Sequence, residues 1–469
     1  MALTDVDPLA WVRRLATEHD RQMTQLKLWN SWYEGNQPLS YMAPELLMEL
    51  DDRMRQVIIN WPQLVVDSVE ERLDIEGFRM GGAETADRDL WDSIWQPNSL
   101  DQESQLGHVD ALTMCRSFVI LGAPDEGDSR PVVITVESPL QVFAERDPRT
   151  RKVIAALKRW EEVQPDHTRL KFATLYLPTM TIWFQQEAEG SEWAETDRDE
   201  HDLGVVPVVP LVNRARVSDR NGRSELAPIT PLSDAACKIA TDMMVGAEYH
   251  ALPRRWATGI SEDDFKDPSG RTVSALSKII GRVWTSKNKD VNFGQFNETS
   301  LTNFHETLNS LARMVAAMSG LPPTYLGLAT DNPPSADAIR AAEARLVKRA
   351  ERKQRGLGES WEEVMRIALL IRDGSVPPEA QRLETLWRDP ATPTFAQTAD
   401  ATVKLFAAGL LPKEIAWERL GFSATQIARM QGMEDAALTR LTAADLHALT
   451  TAPPSDPAPA ATSGAGEDG

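Results

Sequence analysis

The chain has 469 residues, 42% hydrophobic and 26% charged, which excludes a disordered chain and leaves length for two or three hydrophobic cores. With 70 acidic side chains against 50 basic ones the formal net charge is -20; this excludes tight wrapping of nucleic acid, because phosphate binding depends on neutralising Lys and Arg. Cys115 and Cys237 stand far apart, no charged and apolar leader opens the sequence, and every apolar window is broken before the roughly 20 residues a membrane span needs, so we expect a reducing cytoplasm, no export and no membrane contact.

In chain order, Leu9, Val12, Leu15 and His19 fall on one helical face, continued by Met23, Leu26, Leu28, Trp29, Trp32 and Tyr33 until Gly35. The aromatic cluster reads as core. Asn60 and Pro62 predict a capped helix carrying Leu64, Val65, Val69 and Leu73 inward, followed by a short strand over Asp74–Phe78 and a helix over Asp101–Arg116. From Ser117 to Asn213 the period changes. Val132 to Val136, Val142 and Phe143, Val153 to Trp160, Phe172 to Phe184 and Val205 to Val212 are short β-branched or aromatic runs between turns, which predicts an antiparallel β region. The connection Glu187–Asp202 carries eight carboxylates against Arg198 alone. Beside His201 these could be imagined as a hydrolytic metal site, but a polar loop of this kind reads better as a solvated turn, and no metal or cofactor is expected.

Ser224–Tyr249 returns to helix, with a seam of Ile229, Leu232, Ala236, Ile239, Met243 and Gly246 stepping by three and four. An excursion over Pro253–Glu298 then carries Arg254, Arg255, Lys266, Arg271, Lys278, Arg282, Lys287 and Lys289. A second seam follows in Leu301, Phe304, Leu308, Leu311, Val315 and Met318. The two helices, rods of roughly 30 Å, look like partners. Gly320 ends the second, Leu321, Pro322 and Pro323 force the chain extended, and Asp331 to Ser335 set up a new start. The helix from Ser335 to Asp373 runs through Ile339, Ala342, Leu346, Ala350, Trp361, Val364, Ala368 and Ile371 and carries Arg340, Arg345, Lys348, Arg349, Arg352, Lys353 and Arg355. These cations read as partners for carboxylates of adjacent subunits or as a solvated face. A strand over Leu383–Arg388 is expected to return to the β region, Phe395–Leu449 to form a small helical cap, and Thr450–Gly469 to stay disordered.

No phosphate loop, nucleophile elbow, paired histidines or zinc-spaced cysteines occur, so no enzyme is indicated. Gly356 and Gly358 inside a helical pattern read as a kink or a close contact.

The strings LPRRWATG at Leu252–Gly259, SGLPPTYLG at Ser319–Gly327 and NPPSADAIRAAEARLVKRAERKQ at Asn332–Gln354, in this order of elements, resemble the portal (head-to-tail connector) proteins of tailed bacteriophages, particularly phages of actinobacteria, over roughly residues 5 to 450. The resemblance implies an α+β, mainly helical portal fold with wing, stem, clip and crown regions. It implies a dodecameric homo-oligomeric ring at a capsid vertex, a channel through which double-stranded DNA is packaged and ejected. It further implies docking of the large terminase subunit and a head-tail adaptor, contacts with major capsid and scaffold proteins, and residence in the virion after assembly in the host cytoplasm. Carried over by region, residues 1–223 are the wing, 224–249 and 301–319 the stem helices, 250–300 the basic clip, 320–334 the tunnel loop, 335–373 the long wing helix, 374–394 a strand returning to the wing, and 395–449 the crown. The tunnel-loop residues are then Thr324, Tyr325, Leu326, Leu328, Thr330, Asp331 and Asn332, with Asp331 as the loop's one charge. A loop without cations is expected to act on DNA by shape more than by charge. The alternative is a non-channel helical scaffold of virion assembly, with the same seams used to bind other proteins.

Overall fold

Helix α1 (Pro8–Glu34) starts where Asp7 accepts the Leu9 amide and Pro8 sets the first turn, and it ends on Gly35 at φ 70°. The computed structural model describes residues 7–38, 57–165, 167–186, 192–251, 255–258, 292–295, 301–328, 335–391, 395–423 and 425–436. Helix α2 (Trp61–Glu70) is capped as expected, the Asn60 side chain accepting from the Gln63 amide. After β1 (Ile75–Arg79), a single π-helical turn and a 3-10 turn lead into α3 (Leu100–Met114).

The β region contains two sheets. β2 (Arg116–Gly122), β3 (Val133–Glu137) and β9 (Val208–Val212) are antiparallel in the order β3-β2-β9. β4 (Val142–Arg146), β5 (Val153–Val163), β6 (Arg169–Tyr176), β7 (Met180–Gln186) and β8 (Ala194–Glu200) form an antiparallel meander. Trp11, Val12 and Leu15 of α1 pack on the meander with Leu157, Leu175 and Phe184. Three sequence expectations need correction here. The run Phe172–Phe184 is two strands turned at residues 177–179. Part of the acidic connection is strand β8, an edge strand with all of its residues exposed, where like charges discourage a further strand from adding. The strand near Leu383, β12 (Glu384–Trp387), pairs with β1 in a sheet of its own and does not join the main β region; Phe78 of β1 and Leu383 just before β12 are buried in the same core, and Arg79 and Glu384 stand opposite at 2.7 Å.

Helix α4 (Thr230–Ala251) begins later than its apolar period suggested: residues 224–226 are not helical, 227–229 form a turn at Pro228, and Pro231 sits in the first turn of the helix. Strands β10 (Arg255–Thr258) and β11 (Asn292–Gln295) pair antiparallel. Helix α5 (Thr302–Ser319) and the long α6 (Ala336–Asp373) follow, the latter capped by Ser335 as expected. α6 crosses the main core, where Trp361 meets Trp95 edge-on at 5.2 Å and donates from Nε1 to His108 Nε2 at 2.9 Å. Full burial holds the His108 imidazole neutral, its pKa lowered to about 3. Gly358 is a close contact, as read from sequence, since a Cβ there would meet the Trp387 indole at 3.2 Å.

The chain divides into two compact units, the second made of residues 83–88 and 393–469. Its described part contains α7 (Phe395–Ala407), α8 (Lys413–Arg419) and a helical stretch over 425–436, with Lys413 paired to Glu434.

Candidate functional site

The two predicted seams lie against one another. α4 packs on α5, and Gly246 faces Leu301, where a Cβ would stand at an ordinary contact distance of 3.9 Å from Leu301 Cδ2. Ile229 and Val315 belong to the main core and Leu232 packs against it, while Ile239, Met243, Leu301, Phe304, Leu308 and Leu311 are half-buried. Met318 leaves the seam: it is 49% exposed, and Ser319 takes the buried position, its hydroxyl donating to the Val315 carbonyl at 2.6 Å. The buried stripe of the last turns runs through Ala312, Val315, Ala316 and Ser319, and Gly320, left-handed at φ 75°, then ends the helix on the Ala316 carbonyl.

The segment after Gly320 is fastened along its first half. Leu321 is buried, Pro323–Leu326 make one 3-10 turn, and Leu326 packs against the main core. Tyr325 Oη donates to Glu343 Oε1 of α6 at 2.8 Å and accepts from Arg72 Nη2 of α2's C-terminal turn at 3.3 Å. Burial, then the Glu343 carboxylate, pushes the Tyr325 phenol above its usual range. Arg345 donates to the Ala317 carbonyl at 2.7 Å and fills the space beside Gly320, where a Cβ would lie 3.2 Å from its stem. Thr324 is exposed and Leu328 half-buried. Thr330, Asp331 and Asn332 lie outside the described residues, as do Arg254, Lys266, Arg271, Lys278, Arg282, Lys287 and Lys289; Arg255 opens β10.

One cluster escapes sequence reading altogether. Glu225, its side chain fully buried, accepts from Arg349 and Lys353 of α6 and lies 2.8 Å from Arg214 Nε. Asn213 donates to the same carboxylate at 3.2 Å and accepts from Lys353. Burial opposes the charge, but the Lys353, Arg349 and Arg214 cations outweigh it and hold the Glu225 carboxyl down to about 2. Burial among those same cations lowers Lys353 to about 8, since one carboxylate serves three positive groups. Periodicity passes over Glu225, an isolated acid whose α6 partners are 124 and 128 positions away. The cluster also revises the reading of the long helix: Arg349 and Lys353 pair within their own chain, and Lys348 pairs with Glu351 one turn on.

The arrangement combines a helix pair, a fastened turn and a long anchored helix; among the described residues no set of His, Cys, Asp or Glu is grouped to hold a metal, and no helix is long and apolar enough to cross a membrane. Comparison with known proteins agrees with the sequence resemblance. The chain is 41% identical over 394 residues to the portal protein of Mycobacterium phage L5, covering 81% of this chain and 80% of that one. It is 38% identical over 441 residues to the portal protein of Mycobacterium phage D29, covering 92% and 89%. Among solved structures it is similar to a chain from the neck of a native gene transfer agent particle computed with C12 symmetry, at 14% identity and TM-score 0.43 over 81% of this chain and 94% of that chain. A chain from the neck of an empty particle of the same kind, computed with C6 symmetry, gives 13% identity and TM-score 0.44 over 82% and 95%. Residues 12–438 match the family described as phage portal protein, SPP1 Gp6-like, and the chain belongs to that family.

Proposed function

We propose that twelve copies of this chain form a ring at one capsid vertex, through which double-stranded DNA is packaged and later ejected. The observation that carries the proposal is the family match over residues 12–438, which spans the α4–α5 pair and the segment fastened between α5 and α6. In this reading α4 and α5 are the stem, residues 250–300 the clip that meets the terminase and then the adaptor, residues 320–334 the tunnel loop, and residues 395–449 the crown. Residues 1–223 and α6 form the wing, which faces capsid and scaffold proteins. Assembly takes place in the host cytoplasm and the finished ring resides in the virion. The helix pair supports this use, since half-buried seams on both rods leave apolar surface for neighbouring copies to cover. The acidic balance supports it too, because a channel that neutralised phosphate tightly would hold DNA that has to slide.

Electron microscopy of the purified protein tests the ring: an axial opening wide enough for duplex DNA is expected, and monomers or dimers alone under all assembly conditions overturn it. The loop has a separate test. Because Leu326 is part of the core packing, the deletion should be confined to 329–332, and it should spare the ring while impairing DNA packaging or retention. Packaging of full genomes at the normal rate removes the tunnel-loop assignment.

A further inference from the structure

Between β9 and α4, residues 214–223 carry Arg214, Arg216, Arg220 and Arg223 against Asp219, a formal +3 on a chain of net -20. Residues 214–221 are exposed, and Val217 near the tip keeps 85% of its surface open to solvent. The loop is built, not slack. At its base the Arg223 amide donates to the Asn213 carbonyl at 2.9 Å, and Asn213 Nδ2 donates to the Arg223 carbonyl at 2.6 Å. Arg116, buried at the start of β2, donates from Nη1 to the Asn221 carbonyl at 3.2 Å, and the Arg216 amide closes the tip onto the Asp219 carbonyl at 2.7 Å. Gly222 sits at φ 83°, where a Cβ would come within 2.5 Å of the Asn213 carbonyl oxygen, so only glycine completes the base. Arg214 takes a left-handed φ of 50° and is bound to Glu225, which also holds Arg349. The loop is thereby joined to α6, whose Arg345, Lys348, Arg352 and Arg355 are exposed. Among the described residues Arg216, Arg220 and Arg223 have no carboxylate within ion-pairing distance.

A rigid cationic loop can serve phosphates or protein carboxylates. The exposed Val217 decides for protein, because an aliphatic tip among arginines gains little from a sugar-phosphate backbone, whereas arginines around a small apolar anchor are what a protein interface buries. This chain itself offers the complement. β8 displays Glu195, Asp197, Asp199 and Glu200 against Arg198, a formal -3, all exposed on an edge strand of the other sheet. A contact between two different patches of the same chain is heterologous, the kind that generates a ring when its rotation closes. We propose that loop 214–223 of one copy docks on the acidic β8 face of a second copy, an inference that rests on the ring reading above.

The test uses the full chain, with native mass spectrometry for ring yield and thermal melting of the unassembled protein for folding. Arg216→Glu with Arg220→Glu, and separately Asp197→Lys with Asp199→Lys, are each expected to cut ring yield by about tenfold or more at moderate salt. All four changes in one chain restore complementarity and are expected to recover rings. Arg216→Ala with Arg220→Ala, a milder pair, is expected to fall between and to melt like the wild type. Absence of wild-type rings overturns the ring reading. Wild-type rings with undiminished yield from both reversed pairs overturn the docking inference, and failure of the fourfold variant to recover rings overturns β8 as the partner. Normal rings from the arginine-reversed variant that retain duplex DNA more weakly assign the loop to phosphates and likewise overturn it.

Discussion

Two ionic clusters grip α6 within about three turns of each other, and they differ in what surrounds them. At Glu225 the carboxylate is wholly buried and three cations converge on it from β9's following loop and from α6. At Glu343 the network of Arg72, Tyr325 and the carboxylate joins α2's end, the turn after α5 and α6, but the Tyr325 ring keeps 36% of its surface. In the first, Glu225, Arg349 and Lys353 have little water to replace a lost partner, and Arg214 alone reaches solvent. At the second the Arg72 and Glu343 side chains are also largely buried, and it is Tyr325 that reaches solvent. Because three cations depend on Glu225 and one on Glu343, the Glu225 cluster should be the stronger determinant of whether the body folds, and the Glu343 cluster should set where the turn sits.

The largest expected effect is Glu225→Gln. It strands the largely buried Arg349 and Lys353 without a counter-charge, while Arg214 can turn to water, and should cost about 3–5 kcal/mol of unfolding free energy, read from denaturant midpoints. Lys353→Met separates charge from packing: two cations remain on Glu225, so the loss should be smaller, about 1–2 kcal/mol. If Lys353→Met costs as much as Glu225→Gln, the cluster is not carboxylate-limited and the comparison with Glu343 loses its basis.

Acid should act in two windows. The His108 imidazole has a folded pKa of about 3 against 6.5, so the neutral form's contribution is complete above pH 6.5 and is lost as pH falls toward 3. Glu225 is held at about 2 against 4.5, so its contribution is complete above pH 4.5 and is lost as pH falls toward 2. Urea midpoints measured from pH 7 to pH 3 should fall first with the His108 window, and Glu225→Gln should flatten only the limb below pH 4.5. A flattening above pH 5 in that variant would contradict the assignment.

Local chemistry was legible in the chain wherever one residue dictates its own surroundings. Gly35 and Gly320 end helices, Asn60 and Ser335 begin them, and the stepping of Leu301 to Val315 marks the face that α5 turns to α4. The misreadings occurred where the outcome depends on distant chain. β12 pairs with β1 across more than 300 positions of sequence, Arg79 opposite Glu384. Met318 fits the three-and-four stepping, yet within this chain the buried stripe runs through Ala312, Val315, Ala316 and Ser319 and leaves Met318 49% exposed. The acidic connection concealed strand β8 because charge argues against a strand, although at an edge charge is what a strand can carry. Of the candidate site, the helix pair and the proline turn could be read from spacing, while Glu225 and Arg72 could not, since nothing near them in sequence announces their partners.

The smallest effect belongs to Tyr325→Phe, and it is the most informative about the turn. The ring is kept, so packing is preserved, and only the hydroxyl that donates to Glu343 and accepts from Arg72 is removed. Arg72 and Glu343 remain 3.5 Å apart and can still pair, which limits the cost to about 0.5–1.5 kcal/mol. Ring formation should be unchanged, because neither seam touches the hydroxyl. What should change is local: amide hydrogen exchange at Tyr325, Gly327 and Leu328 should speed up while α4 and the upper part of α5 stay as protected as before. Exchange that rises equally across α5 and α6 would show that the hydroxyl supports the whole body, and the division between a cluster that holds the fold and one that places the turn would then be wrong.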